Sequence, residues 1–294
     1  MNIKSHVIVV VGPTASGKSD FAVELALKCN GEIISADSRQ IYKGLDIGTG
    51  KITQNEMKGV PHYMLDICTI GEDFSVAEYQ RIATPILKDI ILRGKTPIIC
   101  GGTGQYIDSL IFEQKMPGVG PNKILRELLE KKTTEELVSL LSEQDPIRLK
   151  AIDKNNRPRL IRALEIIDTL GSVPPQEIPI LTYDTKIYIM DPSRELLRTR
   201  IIKRLLKRIE QGMIEEVKKI QSQVKSMYTE VSDQQIQMKK FGLEYVTIGK
   251  YIDGLLTLDE MKEELITKSM QYAKRQQTWN KKYIPIAEMV EITK

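Results

Sequence analysis

Two short stretches carry the side chains best suited to chemistry. The first, Gly12-Pro13-Thr14-Ala15-Ser16-Gly17-Lys18-Ser19, fits G-x-x-x-x-G-K-[ST] and stands between an apolar run, Val7 to Val11, and a helical pattern. Its glycines let successive backbone N–H groups turn inward around an anion. The helix that follows offers unpaired N–H donors and the positive end of its dipole. Lys18 adds a point charge, and the Ser19 hydroxyl can ligate Mg²⁺. Such a loop holds a diphosphate or a triphosphate, most often that of ATP or GTP, without specifying what is attached. The second stretch, "IISADSRQIYKGLDIGTGK", sets Asp37 at the C-terminal end of a strand beside that loop. Ligands of open α/β sheets sit at such strand ends, and a carboxylate there can take a proton from an attacking group. An aspartate before a serine also caps turns, and both readings stand.

Two further features belong with these. Thr103, in "PIICGGTG", sits at another strand end, where a helix N-cap is its bland role. Arg200, Arg204 and Arg208 recur every four residues and form one stripe on a helix. Leu197, Ile201, Leu205 and Ile209 form the adjacent apolar stripe facing the core, so a solvated arginine face is the default. The chain lacks the Asn-Lys-x-Asp guanine reader of a GTPase, and the strand "PIICGGTG" ends in glycines and a threonine where an ATPase usually carries an acid. Asp191 does end a strand, but Pro192 follows it, so helix capping is the simpler reading. A small-molecule kinase, which often lacks that acid, stays open, as does an RNA-binding protein with a relic loop.

The elements that must position these residues alternate. "HVIVVVG", "GEIISADS", "TPIICGGTG" and "TKIYIMDPS" read as buried strands, and "IAEMVEI" as a last edge strand. "KSDFAVELALKCN" and "FSVAEYQRIATPILKDIILRGK" read as helices between them. The alternation predicts an α/β fold, a parallel sheet covered by helices on both faces. Residues 116–182 break it: between the Pro/Gly-rich "MPGVGPN" and "GSVPPQEIP" only helical patterns occur. They read as an inserted all-helical domain, the core being 1–115 and 183–294.

Composition bounds the rest. The 294 residues are 41% apolar and 28% charged, as in a globular chain with a sizeable core. No apolar run is long enough to span a bilayer, and Lys4 followed by a strand pattern does not read as a signal peptide. Cys29, Cys68 and Cys100 lie far apart, which predicts buried, reduced thiols in a cytoplasmic protein. The net charge of +4 is unevenly placed. Residues 194–225 hold ten Lys/Arg against four Asp/Glu, and 268–282 hold five and no acid. With Tyr272 and Trp279 interleaved, such helices suit RNA phosphates and stacking on splayed bases.

Seven stretches in order, "GPTASGKS", "IISADSRQIYKGLDIGTGK", "GVPHYMLDI", "PIICGGTGQYI", "RPRLIRALE", "SRELLRTRIIKR" and "YAKRQQTW", resemble the bacterial tRNA isopentenyltransferases (tRNA dimethylallyltransferases), over essentially the whole chain. Tyr63, Gln105 and Asn280 depart from the family's usual residues. The resemblance implies a P-loop NTPase-like fold. It also implies transfer of a dimethylallyl group from dimethylallyl pyrophosphate to the N6 amine of the adenosine 3′-adjacent to the anticodon. The loop at 12–19 then holds the pyrophosphate, with Mg²⁺ as cofactor on Ser19. Asp37 orients and deprotonates N6, Thr103 meets the leaving oxygen, and Arg204 contacts the pyrophosphate. Ser38, Arg39 and Gln40 match the segment gripping the target base, and Arg126, Arg159 and Arg162 match positions that contact tRNA. The expected partners are tRNA and dimethylallyl pyrophosphate, with no membrane, and the expected state is a monomer. Adenylate isopentenyltransferases share the loop and are the nearest rival.

Overall fold

The computed structural model describes residues 6–113, 117–175 and 180–292. In chain order the elements begin with β1 (His6–Val11), α1 (Lys18–Cys29), β2 (Gly31–Ala36), α2 (Gln54–Met57), β3 (His62–Tyr63), α3 (Val76–Leu92), β4 (Thr96–Gly101) and α4 (Gly104–Ile111). Four helices follow: α5 (Lys123–Glu130), α6 (Thr134–Gln144), α7 (Pro146–Ala151) and α8 (Arg157–Leu170). The chain then runs through β5 (Asp184–Met190), α9 (Arg194–Glu210), α10 (Met213–Met227), α11 (Val231–Phe241), α12 (Leu243–Ile252), α13 (Leu258–Asn280) and β6 (Ala287–Val290).

The described strands pair in parallel in the order β3-β2-β4-β1-β5-β6. β1 is apolar on both sides because both its faces are covered. Val7, Val9 and Val11 enter one core, and Ile8 and Val10 the other. On the first face lie Tyr79, Ala83 and Leu87 of α3, Ile107 and Ile111 of α4, and Val217 and Val224 of α10. On the second lie Ala22, Val23 and Ala26 of α1. Helices on both faces of a parallel sheet are what the alternating pattern predicts.

Two compact units result, Met1–Phe112 with Leu181–Lys294, and Glu113–Ile180. The divisions fall at 112/113 and 180/181, a few residues before the positions read from the sequence. Met116 and residues 176–179, at the edges of the insertion, lie outside the described residues, as does Lys4. The second unit is built of α5 to α8 around Leu129, Leu137, Leu141, Leu160 and Leu164. Its helices start on Asn122, Thr133, Asp145 and Asn156, each side chain accepting a backbone N–H.

Two expectations need correction. Asp191 does not cap α9: Ser193 does, through the N–H of Leu196, because the chain runs on through Asp191 and Pro192 after the strand ends at Met190, before the helix starts. Asp191 instead accepts from the Gln277 amide at 2.6 Å. Of the three free thiols, Cys68 and Cys100 are buried but Cys29, in the last turn of α1, is partly exposed.

At the start of β2 a buried carboxylate ties the sheet together. Glu32, 2% exposed, takes two hydrogen bonds from Arg93 at 2.7 and 2.6 Å, one from Lys95 at 2.5 Å and one from the Tyr63 hydroxyl at 2.9 Å. Tyr63, a departure from the family's usual histidine, thus serves the sheet. The Arg93 hydrogen bonds hold the Glu32 carboxyl down at about 2 against its ordinary 4.5, with burial pulling the other way. A depressed folded-state pKa stabilises the fold above the unfolded value, and that stability is lost as pH falls toward 2. Glu32→Gln should cost about 2–3 kcal/mol at pH 7 in urea unfolding. The gap between variant and wild type should narrow steadily below pH 4.5; a pH-independent gap would rule out the charge as its source.

Candidate active site

The loop between β1 and α1 has the backbone shape of an anion cradle. Ala15 and Gly17 take left-handed φ values of 61° and 90°, an alternation that turns successive N–H groups to one side. Ala15 accepts that conformation because it is packed: it joins Leu197 and Ile201 of α9 and Ala273 of α13 in one small core. At Gly12 a Cβ would stand 2.7 Å from Ser16 Oγ and 2.8 Å from the Met190 carbonyl, so the loop admits no side chain there. The Ser16 hydroxyl is buried without a hydrogen-bond partner among the described residues. Lys18 Nζ reaches only the Pro13 carbonyl, at 3.4 Å, and makes no ion pair among them.

The loop forms one end of a cleft of about 700 Å³. Because Leu197 and Ile201 of α9 pack on Ala15, the next face of α9 looks into that cleft. Arg200, Arg204 and Arg208 all line it, which overturns the default of a solvated stripe. Arg200 donates to the Ser16 carbonyl at 3.0 Å, and Arg208 donates to the Gly48 carbonyl at 3.4 Å and lies 3.7 Å from Glu244. Arg204, between them, makes no hydrogen bond or ion pair among the described residues. Burial first, then the neighbouring Arg208, push its guanidinium down to about 10. Burial lowers the Lys18 ammonium as well, with Arg204 and Arg208 acting in the same direction. The cleft is short of negative charge.

Asp37 follows β2 directly and lines the same cleft. Its Oδ1 accepts the Arg39 N–H at 2.9 Å, so it does cap a turn, while its other oxygen is unengaged among the described residues. The capping role is observed, and it leaves the second oxygen available for the other role read from the sequence. Thr103 stands at the N-cap position of α4 but makes no capping bond. Its hydroxyl instead accepts the Ser38 N–H at 3.0 Å and donates to the Ser38 hydroxyl at 3.2 Å. This meeting depends on Gly101, where a Cβ would come within 2.2 Å of the Ala36 carbonyl oxygen. The ends of β2 and β4 can touch only without that atom.

One contributor was missed in the sequence. Gln276 of α13, 6% exposed, accepts the Thr14 N–H at 2.7 Å and donates to the Gly102 carbonyl at 3.1 Å. It ties the anion loop to the Gly-Gly-Thr turn. It lies inside "YAKRQQTW", a stretch whose charge and aromatics point to RNA and give no sign of Gln276's role. Trp279 of the same helix turns its indole N–H against Gly104 without a hydrogen-bond partner, and Lys282 covers its ring at 4.2 Å. Tyr272 is pushed up to about 12, chiefly by burial and then by Asp37.

The remaining candidates divide. Gln40 lines the cleft and donates to the Gly50 carbonyl at 3.2 Å, and Arg39 is bonded to the Lys240 carbonyl. In the second unit, Arg126 grips the fully buried Glu165 through Nε at 3.1 Å and Nη2 at 2.7 Å. Arg162 meets the same carboxylate at 3.3 Å and the Val119 carbonyl at 2.6 Å. Both bond that unit's own buried acid, though Arg126 stays exposed like Arg159.

Ser19 opens α1 on the cleft wall, and Asp20 and Asp37 supply carboxylates there. Among the described residues no three His, Cys, Asp or Glu side chains could cage a metal. A hydroxyl and a carboxylate, completed by water and phosphate oxygens, form a donor set that suits Mg²⁺. Among the described residues no helix is long and apolar enough to cross a membrane.

Comparison with known proteins gives one family. The IPP transferase family matches residues 40–283. The chain is similar to the tRNA dimethylallyltransferase of Anoxybacillus flavithermus, 42% identical over 95% of this chain and 88% of the relative. It is 39% identical to that of Leuconostoc citreum, over 96% and 92%. Among solved structures, the tRNA isopentenylpyrophosphate transferase of Bacillus halodurans is 37% identical, with a TM-score of 0.70 over 98% of this chain and 90% of that one. A eukaryotic dimethylallyltransferase described as acting on tRNA is 26% identical, with a TM-score of 0.83 over 97% and 73%.

Arg204 is the cation with most to gain from an anion. Arg204→Ala should weaken binding of inorganic pyrophosphate by about 10- to 100-fold in calorimetric titration, as for a lost charged hydrogen bond. Unchanged affinity would remove Arg204 from the anion site.

Proposed function

The chain belongs to the IPP transferase family, and on that premise we infer that it is a prenyltransferase acting on tRNA. It moves the dimethylallyl group of dimethylallyl diphosphate to the N6 amine of the adenosine 3′-adjacent to the anticodon. The observation that carries this reading is a cleft in which Lys18 and Arg204, neither of them ion-paired among the described residues, share a wall with a strand-end carboxylate, Asp37. Cations without counter-charge suit a diphosphate, and the acid suits an amine acceptor.

The chemistry asks for leaving-group stabilisation and alignment. N6 attacks the allylic carbon, the bond from that carbon to the diphosphate oxygen breaks, and pyrophosphate leaves. The loop N–H groups, Lys18, Arg200 and Arg204 receive the charge that grows on the departing oxygens. Mg²⁺, when bound, offsets further charge there, and Ser19 is the residue that would hold it. Asp37 orients N6 and accepts its proton. Thr103, bonded to both the N–H and the hydroxyl of Ser38, holds the segment that follows Asp37. The adenine leaves its stack to reach this depth, and Ser38, Arg39 and Gln40 flank its path. Arg159 is an exposed arginine of the second unit that can be offered to tRNA phosphate. One chain carries the loop, the acid and the threonine, which supports action as a monomer. Free thiols at Cys29, Cys68 and Cys100 support a reducing, cytoplasmic compartment.

The deciding experiment offers labelled dimethylallyl diphosphate with total tRNA, AMP or ATP as acceptor. Label should enter tRNA alone. Transfer to AMP or ATP would make the enzyme an adenylate prenyltransferase, and phosphorylation at the expense of ATP without prenyl transfer would make it a kinase.

Asp37 separates alignment from binding. Asn keeps the size and one accepting oxygen, so the Arg39 turn survives, but it cannot take a proton. The N6 lone pair is delocalised into the ring, which makes it a weak nucleophile. Asp37→Asn should slow single-turnover transfer with both substrates saturating by about 10²- to 10⁴-fold. Pyrophosphate affinity and melting temperature should stay near wild type. A wild-type rate would leave Asp37 only its turn-capping role.

A further inference from the structure

The wall opposite the α9 arginines is the loop Asp46–Lys51. Its internal bonds, such as Thr49 Oγ1 to the Leu45 carbonyl at 2.6 Å and Lys51 to Asp46 at 2.6 Å, give it a shape but not a place. Its place comes from outside. The Glu216 carboxylate, on α10, accepts the N–H groups of Asp46 at 3.0 Å, Ile47 at 2.8 Å and Gly48 at 2.8 Å. It also accepts the hydroxyl of Tyr245, on α12, at 2.7 Å. Four donors on one carboxylate make a charge-assisted cluster, stronger than neutral hydrogen bonds. Tyr245 is fully buried, and burial and the Glu216 charge raise its phenol so that it remains a donor.

Two glycines transmit this anchor to the cleft. At Gly48 a Cβ would come 2.7 Å from the Tyr245 hydroxyl, so the loop lies flat on that ring. At Gly50, where φ is +60°, a Cβ would fall 1.6 Å from Arg208 Nη2 and 2.7 Å from Arg204 Nη2. The backbone at Gly50 is therefore the surface against which both guanidinium groups rest. Glu216 does not itself line the cleft. Because its carboxylate takes the N–H groups of residues 46–48, those donors are not offered to a ligand.

We propose that Glu216 and Tyr245 are positioning residues for the transfer: they fix the Asp46–Lys51 loop so that Gly50, with Arg208 beside it, holds Arg204 on the diphosphate. The proposal rests on the diphosphate reading of the cleft.

Glu216→Gln keeps the size of the side chain but turns an NH₂ group toward N–H donors, so at least one loop N–H loses its acceptor. With tRNA saturating, the KM for dimethylallyl diphosphate should rise about 10-fold, while kcat stays within about twofold and the tRNA KM is unchanged. Tyr245→Phe removes one donor of the four and should give the same split at about 3-fold; it decides the matter if the first variant does not fold. Thermal melts are run beside the kinetics. Lower melting temperature or lower kcat with an unchanged diphosphate KM would reduce the pair to a structural role and overturn the proposal, as would a rise confined to the tRNA KM. If wild-type enzyme itself neither binds the diphosphate nor transfers its prenyl group, the reading of the cleft fails and the proposal falls with it. If wild type does both and the two variants keep its KM, only the proposed positioning role fails.

Discussion

Like charge crowded into one partly dry cleft is the constraint to which the rest of this structure answers. Lys18, Arg204 and Arg208 share a wall, and among the described residues only Arg208 of the three has an acid at ion-pair distance, Glu244 at 3.7 Å. Holding Arg204 there, with its guanidinium pushed down to about 10 from 12.5, costs on the order of 3 kcal/mol relative to water. For a fold whose net stability is about 5–15 kcal/mol, that is a large sum. It is tolerable because α9 is fixed by its other face: Leu197 and Ile201 pack against Ala15 and Ala273, and Leu205 enters the main core. The helix cannot turn its arginines to solvent without exposing those side chains. The apolar stripe thus compels the charged one.

The acid is held by a different means. Asp37 belongs to the end of β2, and its distance from the anion loop is set by the sheet, in which β4 lies between β2 and β1. Gly101 lets the ends of β4 and β2 close on each other, and Thr103 then bonds Ser38 on both its N–H and its hydroxyl. Gln276 joins the Thr14 N–H to the Gly102 carbonyl, so loop and turn share one buried strut. The cations that the proposed mechanism sets on the donor, and the acid it sets on the acceptor, are thereby kept apart by backbone rather than by side-chain ion pairs. An Asp37 paired to Lys18 or Arg204 would neutralise both functions at once.

What the sequence made legible follows from the same physics. Continuous apolar runs announce strands buried on both faces, and Gly-x-x-x-x-Gly-Lys-Ser announces its loop because so few residue types allow that backbone. The helical unit shows itself through its capping residues and periodicity. Other features resist such reading. Spacing places Arg200, Arg204 and Arg208 on one face, but only the packing of Ala15 reveals that the face looks into a cleft rather than into solvent. Gln276 and Glu216 look like ordinary polar positions on helices, since their partners are backbone groups 262 and 168 to 170 residues away. Arg126 and Arg162 match tRNA-contacting positions in sequence, yet each is bonded to the buried Glu165, a partner that local charge counts cannot show.

The form of the cleft also explains why a nucleotide-type loop can work without the acid that usually accompanies it. When such a loop serves phosphoryl transfer, the attacked atom is phosphorus, and a metal-bound acid and an aligned nucleophile must be arranged around the phosphate. In prenyl transfer the attacked atom is carbon, and the diphosphate is only the leaving group. The protein then needs donors fixed where the departing oxygens gather charge, and those donors need no rearrangement during the step. On the proposed mechanism, backbone N–H groups of the loop that ends at Ser19, Lys18 and the α9 arginines meet that need. The strand end that would carry an acid in an ATPase is free to carry Gly101, Gly102 and Thr103 instead, and the proposed mechanism leaves Asp37, the carboxylate that follows β2, for the acceptor.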